Sequence, residues 1–471
     1  MAQINTRKAT GPGTIKNIQI FSNTEPKKSV YLTDLIIDSF KYYESLFQDV
    51  IHASVTYIDS GGTIKAKGGG QLTTAVAGLP ITGSEKVNLL FEDPNEEEIE
   101  VTLYVNNVTE IVTDSTKSMV TLSMNSLELF NNDKVRLNRR FDGKISDHIE
   151  KILKGGKGES GDSLETKKEV DIEKTVGEYN KAFTNKKPFY MMNYFSTRAV
   201  PEGGQGNSAG FLLWETSEGF HFKSIDKLFG QKEKKSIIFN ETPGNPPKGY
   251  DIKALTFDKQ NRNNIKSKLE QGTYATRIIT FDPFTLNYEV SYLNAGNKKQ
   301  SGPKQKGNED TLNKGGEELP KLSGDIKSAK GGQNDFSRTT FQLLDTGSIP
   351  QGKTKSGVDQ SDDRTGGNEQ VEKKEDKNAK PGETLNQSIM RLNQMNTMKI
   401  SMTLPGDFTL HAGDAVKVDS PQLSAARQSR KRQKVDDQTG GLYIIRDLCH
   451  YMTKDVTYTK VNVVRDSFGK K

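Results

Sequence analysis

The sequence contains a strand pattern that occurs twice, more than two hundred residues apart. Residues Leu46–Asp59 form the first copy and Leu269–Asp282 the second, and one offset of 223 residues relates the matching Leu, Gln and Asp positions. A second pair of segments is also alike: Leu103–Val105 and Leu442–Ile444. A chain with two similar β modules can build a ring that has twice as many modules as chains. The pattern therefore indicates an assembly protein rather than a catalyst.

The chain is poor in apolar residues for its length. At 471 residues it is long enough for two to four domains of roughly 100–200 residues each, yet only 32% of its residues are hydrophobic and the mean hydropathy is −0.71. Most of the deficit lies in residues 296–388, where Gly, Lys, Asn, Asp, Ser and Glu dominate. Such a tract buries too little apolar surface to offset about 1–2 kcal/mol of backbone entropy per residue. Its one apolar segment, Phe341–Leu344, predicts a short strand or a docking segment.

Charge and cysteine content exclude several classes of protein. The 67 basic and 61 acidic residues give a net charge of +6, too small for a dedicated nucleic-acid binder of this size. The single cysteine, Cys449, excludes an intramolecular disulfide and suits a reducing compartment or a protein assembled in the cytoplasm. Residues 1–20 lack the apolar core of a secretory signal, and no apolar run approaches the ~18 residues of a membrane span.

The hydrophobic pattern changes along the chain. Residues 30–60 and 86–124 alternate in the manner of strands, which predicts a mainly β first module. Apolar residues at helical spacing over Ile145–Leu153 predict an amphipathic helix that ends at the following glycines. Pro188 sits where a helix begins, and residues 211–222 read as a β-hairpin. The middle region is therefore predicted to be α+β.

These patterns give a fold class and a set of domain limits. The prediction is a mainly β protein with an α+β middle region, in which two similar β-barrel tube domains flank smaller intervening domains. The predicted limits are 1–135 for the first barrel, 136–245 for the middle domain with a flexible insertion near 155–180, 246–295 with 389–471 for the second barrel, and 296–388 for a low-complexity insertion.

One segment, Gly347–Thr354, fits the pattern of a phosphate-binding P-loop letter for letter. A P-loop needs a buried strand before it and a helix after it, because the amides at the helix N-terminus hold the phosphates. The sequence after Thr354 is acidic and rich in glycine, without an apolar face. We interpret the segment as a loop and assign no nucleotide site.

Two hydrolase-like patterns also lack their structural context. Gly206–Gly210 fits a nucleophile elbow, but it leads from a glycine-rich loop into a strand rather than from a strand into a helix. Cys449 and His450 are adjacent in a predicted strand, so their side chains point to opposite faces and cannot act as nucleophile and base. We interpret Cys449 as a small core residue, and Asp59 and Asp282 as turn residues at strand ends.

No catalytic, cofactor-binding or metal-binding residue is assigned, no cofactor is expected, and no partner-binding residue is identified. The remaining histidines do not have the spacing of metal ligands; they are His52, His148, His221 and His411. A basic run from Arg427 to Lys434 is interpreted as a solvated loop, with a targeting signal or a phosphate contact as the alternatives.

Several segments resemble one family. Leu404–Val416, followed by Gly441–Asp447, resembles the central baseplate hub proteins of T-even-like contractile-tailed bacteriophages. Gly210–Asp226 and Asp34–Gly62 are similar to the same family, in the same order. The resemblance covers most of the chain except roughly residues 155–180 and 296–388.

The resemblance implies a structural virion protein of the tail baseplate. In such hubs, two barrel-type tube domains per chain form a homotrimer with pseudo-sixfold symmetry, which adapts the sixfold tail tube to a threefold spike. The implied partners are the tail tube ring proteins, a trimeric spike or lysozyme-spike protein and the surrounding baseplate proteins. DNA would pass through the channel without specific binding, and the modest net charge is compatible with that.

Two other functions stay open from the sequence. One is a tail-associated peptidoglycan hydrolase with its carboxylates in the middle domain, since an acid–base pair needs no local motif. The other is a receptor-binding β protein, which should expose aromatic side chains. The only tryptophan, Trp214, lies in an alternating strand and is predicted to pack in the core.

Overall fold

The structure is a computed structural model. It describes residues 10–25, 28–62, 64–65, 72–79, 81–112, 117–155, 162–202, 209–240, 244–261, 264–283, 286–294, 322–323, 337–343, 381–422 and 435–469. The P-loop-like segment 347–354 and the basic run 427–434 lie outside these residues, as does most of the elbow-like pattern at 206–210.

The protein is mainly β, as predicted. The first strands are β1 (Thr14–Phe21), β2 (Ser29–Tyr31), β3 (Ile36–Ser45), β4 (His52–Asp59), β5 (Ile64–Lys65), β6 (Leu72–Thr73), β7 (Lys86–Glu92), β8 (Glu98–Val112), β9 (Ser118–Asn125), β10 (Arg140–Phe141), β11 (Val170–Ile172) and β12 (Lys181–Ala182). The later strands are β13 (Phe211–Thr216), β14 (Gly219–Ser224), β15 (Lys235–Ile238), β16 (Ile252–Lys253), β17 (Thr256–Asn261), β18 (Ala275–Phe281), β19 (Tyr288–Asn294), β20 (Arg338–Leu343), β21 (Met398–Pro405), β22 (Ala415–Asp419), β23 (Gly441–Thr453) and β24 (Thr457–Arg465). The α-helices are α1 (Ala75–Gly78), α2 (Leu127–Lys134), α3 (Ile145–Lys154), α4 (Pro188–Ser196), α5 (Ile225–Phe229), α6 (Ile265–Glu270) and α7 (Pro381–Met395), and Leu32–Asp34 form a 3-10 turn.

Fourteen strands form one continuous sheet with two similar units. In the first unit the order is β3-β4-β9-β8-β7-β1-β2, and in the second β23 pairs with β22 and β24, β22 continues to β15 and β16, and β24 continues to β21 and β17. An antiparallel pair between β3 and β23 joins the units. Each unit has its own hydrophobic core. Among the described residues, hydrogen bonds do not close either unit into the separate barrel that we expected, because the sheet continues through this pair.

Four strands of the first unit match four strands of the second. In the first, β8 pairs with β7 and then, after a bulge between Val105 and Asn107, with β9. In the second, β23 pairs with β22 and, around a bulge between Ile445 and Asp447, with β24. The cross-strand partners make β8 equivalent to β23, β9 to β24, β4 to β21 and β3 to β17. The likeness of Leu103–Val105 to Leu442–Ile444 thus marks equivalent strands.

The other repeated pattern, with its offset of 223 residues, does not mark equivalent strands. Its first copy ends in β4, which pairs antiparallel with β3 and β9 inside the large sheet. Its second copy ends in β18, which lies in a separate sheet of three strands between an antiparallel β19 and a parallel β20. The prediction was wrong because strand patterns recur by chance, and only pairing across the sheet fixes a strand's place.

The connection between β17 and β21 contains more structure than the sequence predicted. Strand β20 falls inside the low-complexity range 296–388, which confirms the short strand expected at Phe341. Helix α7 begins in the same range, and Thr384–Ser388 include four buried residues, so the expectation that this range adds almost no core is wrong at its C-terminal end. Strand β15, within the range predicted for the middle domain, pairs with β22 of the second unit.

The middle region has the predicted helices and hairpin. Helix α3 buries the stripe that begins at Ile145, helix α4 begins at Pro188, and β13 and β14 form the hairpin. Residues 162–180 were expected within a flexible insertion, but Leu164 is fully buried and β11 pairs with β14. They pack because Leu164 enters the same core as α3 and α4.

Candidate functional site

The most extensive surface feature is one face that runs across eight strands and both units. Its strand order is β8-β9-β4-β3-β23-β24-β21-β17, and we call it the shared face. Directly opposed residues of antiparallel strands lie on the same side of a sheet. The register therefore gives two rows across the face: Asn107, Ser123, Ser54, Lys41, Tyr451 and Tyr458 in one, and Asn125, His52, Tyr43, Cys449, Lys460, Thr403 and Thr256 in the other.

The central rows of the shared face are polar and carry little charge. A row beside them is apolar, with Ile111, Met119, Ile58 and Ile36, and another contains Asp447 and Asp258. Hydroxyl, amide and tyrosine side chains dominate both rows, and a third row continues the pattern with Thr109, Thr121, Thr56, Ser39 and Thr453. The lysines Lys41 and Lys460 lie over the ring of Tyr451, with 5.8 Å and 5.0 Å from each Nζ to the ring centroid. The opposite side of the same strands forms the two cores.

A buried loop between β21 and β22, which we call the junction loop (residues 405–414), fastens the second unit to the first. The ring of Phe408 enters the core of the first unit, 5.3 Å from the ring of Phe91 between centroids. The backbone N–H of Phe408 donates to Asp93 Oδ2 at 3.1 Å, and Asn95 Nδ2 donates to the carbonyl of Gly406 at 3.1 Å. The junction loop is thus a structural clamp between the two units.

The carboxylate of Glu44 in β3 is the polar centre of this clamp. It is fully buried and accepts hydrogen bonds from the Tyr42 hydroxyl (2.9 Å), the Ser217 amide (3.0 Å) and the Ala412 amide (2.9 Å). His411 Nδ1 lies 3.2 Å from Glu44 Oε1. One carboxylate therefore binds the first unit, the middle hairpin and the junction loop together.

Burial and ion pairing shift the pKa values of Glu44 and His411 in opposite directions. Burial raises the pKa of Glu44, but His411 and the two backbone amides outweigh it, so the pKa falls below the ordinary 4.5. Burial lowers the pKa of His411, but Glu44 outweighs that effect and raises the pKa above 6.5. The neighbouring His450 differs, since burial lowers its pKa to about 3 and keeps it neutral.

The Glu44–His411 pair should stabilise the fold most between about pH 4.5 and 6.5. A raised histidine pKa adds stability below 6.5 that is lost as the pH rises through the folded value, and a lowered carboxylate pKa adds stability above 4.5 that is lost as the pH falls. We expect His411→Asn to lose about 1–3 kcal/mol near pH 6 and clearly less near pH 9, measured by urea unfolding. An equal loss at both pH values would show that the pair is not ionised.

The middle region packs on the junction loop through its tryptophan. Trp214 is buried, as predicted, and its Nε1 donates to the carbonyl of Ala412 at 3.0 Å. Gly413 lies against the indole with a φ of +94°, and a Cβ there would be 2.7 Å from Trp214 Cζ2. The close contact of loop and indole therefore requires glycine.

A cleft of about 320 Å³ lies between β8 and the middle hairpin, and Lys168 and Glu215 are among the residues that line it. Lys168 Nζ contacts both Glu128 and Glu215. Glu215 is fully buried and also accepts from the Ser126 hydroxyl and the Ile51 amide. The pKa of Glu215 rises to about 7, and burial is the main cause. With its oxygens bound in this way, Glu215 holds the hairpin on the first unit.

The residues discussed in the sequence analysis are scattered. His52 lies on the shared face, whereas His148 and His221 lie in the middle region. Cys449 is half-buried on the shared face rather than in a core, and burial raises its pKa to about 11. Asp59 accepts from the amides of Gly61 and Ala75, so it caps the start of α1 as well as a turn. In the described part of the chain, no group of acidic, His or Cys side chains is placed to hold a metal ion, and no helix is long and apolar enough to cross a membrane.

The architecture can be compared with known proteins. The tail protein from Neisseria meningitidis MC58 is similar with a TM-score of 0.50 at 8% identity, over 96% of each chain. The chain shares the fold of this tail protein. Two further solved structures are similar: the 43 kDa tail protein of prophage MuSo2 from Shewanella oneidensis (TM-score 0.46, 10% identity, 96% of this chain and 99% of that one) and the prophage tail protein gp18 from Listeria monocytogenes EGD-e (0.45, 9%, 95% and 94%). The sequence matches no family model and no curated protein.

Proposed function

We propose that this tail-fold protein is a structural component of a phage baseplate, where three copies form the central hub between the tail tube and the spike. The observation that carries the proposal is the shared face, which continues without a break across two equivalent units. Three copies would present six units and twenty-four strands, which matches a sixfold tube ring on one side. The threefold side would seat the spike, and other baseplate proteins would surround the hub in the virion.

The chemistry of the shared face suits the lining of a channel. Hydroxyl and amide side chains are well solvated and offer little fixed charge. Tight binding of DNA depends on clustered Lys and Arg that release counterions. A face with few such residues lets a polyanion pass without holding it, whereas the two cores on its other side keep the wall rigid.

The proposal is tested by the mass and shape of the purified chain. We expect particles of three times the chain mass of 52.3 kDa, each with a central channel in electron micrographs. Particles of single-chain mass at all concentrations would overturn the hub proposal. A matched measurement addresses the hydrolase alternative: turnover of cell-wall material that is lost in Glu215→Gln would place catalysis in the cleft and contradict a purely structural role.

A further inference from the structure

At each end of the shared face, part of a strand has one edge without a neighbour among the described residues. At one end, Asn106–Val112 of β8 pair only with β9. At the other end, β17 pairs only with β21. Long strand edges with free N–H and C=O groups are templates for pairing with another chain, and proteins that do not use them usually protect them.

The joint inside the chain shows what each edge fits. There, β3 of the first unit pairs with β23 of the second. Strand β17 is the equivalent of β3, and β8 is the equivalent of β23. The two free edges therefore belong to strands of the same two kinds that pair with each other at the internal joint. In a ring of copies, the same strand pairing can then form every joint between neighbouring units, both within a chain and between chains.

We propose that β17 of one copy pairs antiparallel with the end of β8 of a second copy of this chain. This inference rests on the proposed ring of copies. The register follows from the internal joint, where Phe40 is opposite Met452 and Tyr42 is opposite His450. The equivalent position places Phe257 opposite Val112 of the second copy.

The exposure of these residues agrees with a missing neighbour. Val112 is 71% exposed, whereas its equivalent Met452 is 1% exposed beside β3. Phe257 is half-buried, whereas its equivalent Phe40 is 1% exposed. Pairing would bring an apolar side chain against an apolar one on the core side of the sheet.

The test uses disulfide formation in the full chain, with Cys449→Ser to remove the native thiol. Opposed residues of antiparallel strands have Cα atoms about 4.5–5.5 Å apart, within the range of a disulfide. We expect Val112→Cys with Phe257→Cys to form covalent dimers and trimers on mild oxidation, and to stop at the trimer because the ring closes. Ile111→Cys with Phe257→Cys is the matched control, since a shift of one residue moves the thiol to the other face. It should give mostly uncrosslinked chains.

The outcomes separate this inference from the hub proposal. Trimers of the wild-type chain without a Val112–Phe257 crosslink would overturn the edge pairing and leave the hub intact, whereas chains that stay single would overturn both. A second variant, Val112→Lys, should convert trimers to single chains that keep the circular dichroism spectrum of the folded protein, because it places a charge on the apolar side of the joint. Val176→Lys, exposed in the middle region, should leave the trimers intact. Trimers of Val112→Lys that are as stable as the wild type would contradict the pairing.

Discussion

Replacing Arg391 with methionine should lower the free energy of unfolding by about 3–5 kcal/mol. The guanidinium of Arg391 in α7 is fully buried and bridges two buried carboxylates, with 2.8 Å to Asp226 after β14 and 2.8 Å to Asp466 after β24. Removal of the cation leaves both carboxylates in a dry interior without their partner. The loss should appear in urea unfolding followed by circular dichroism.

Two further variants test whether the unpaired buried carboxylates cause the loss of stability in Arg391→Met. Lys266→Met removes an exposed lysine that pairs with Glu270 on α6, and it should change stability by less than about 0.5 kcal/mol. Adding Asp226→Asn and Asp466→Asn to Arg391→Met should recover part of the loss, because the unpaired charges are then gone. If Arg391→Met costs no more than the lysine control, the buried bridge does not stabilise α7.

Replacing Gly413 with alanine should cost about 2–5 kcal/mol, because a left-handed backbone strains an L-residue by roughly 1–2 kcal/mol and overpacking adds about 1–3 kcal/mol. The new Cβ would overlap Trp214 Cζ2, and the junction loop has no room to move because both units hold it. Since Trp214 is the only tryptophan, its fluorescence reports the displacement of the indole directly.

Gly61→Ala is the matched control. Gly61 has a φ of +75° and nothing within 4 Å of the position of a Cβ, so only backbone strain of roughly 1–2 kcal/mol applies. The tryptophan emission should not change in this variant. Equal losses of stability and equal spectra for the two glycine variants would contradict the proposed contact between the loop and the indole.

Local elements of the fold could be predicted from the sequence, whereas sheet order could not. Helix α3 and the β13–β14 hairpin follow from periodicity within a dozen residues, where each position constrains its neighbours. The equivalence of the units depends on which strands pair across the sheet, and many registers satisfy one alternating pattern. The match between Leu103–Val105 and Leu442–Ile444 found equivalent strands, although pairing with β9 and β24 shifts their alignment by one residue.

The residues of the candidate site were even harder to predict from the sequence than the order of the strands. Glu44 and His411 are 367 residues apart, and neither belongs to a motif. Arg391 follows a polar tract that gives no sign of a buried cation. Such pairs become visible only when the fold brings distant segments together, because a buried charge is selected by its partner and not by its neighbours in sequence.

The two units differ most in what joins their matching strands. In the first, residues 46–51 connect β3 to β4, whereas in the second the connection from β17 to β21 holds α6, a sheet of three strands and α7. In the proposed ring this elaboration would recur at every other position around the rim. A partner that contacts only the strands would then meet six equivalent positions around the ring. A partner that contacts the rim would meet three. One long insertion in one of two copies is thus enough to halve the rotational order of an otherwise uniform wall.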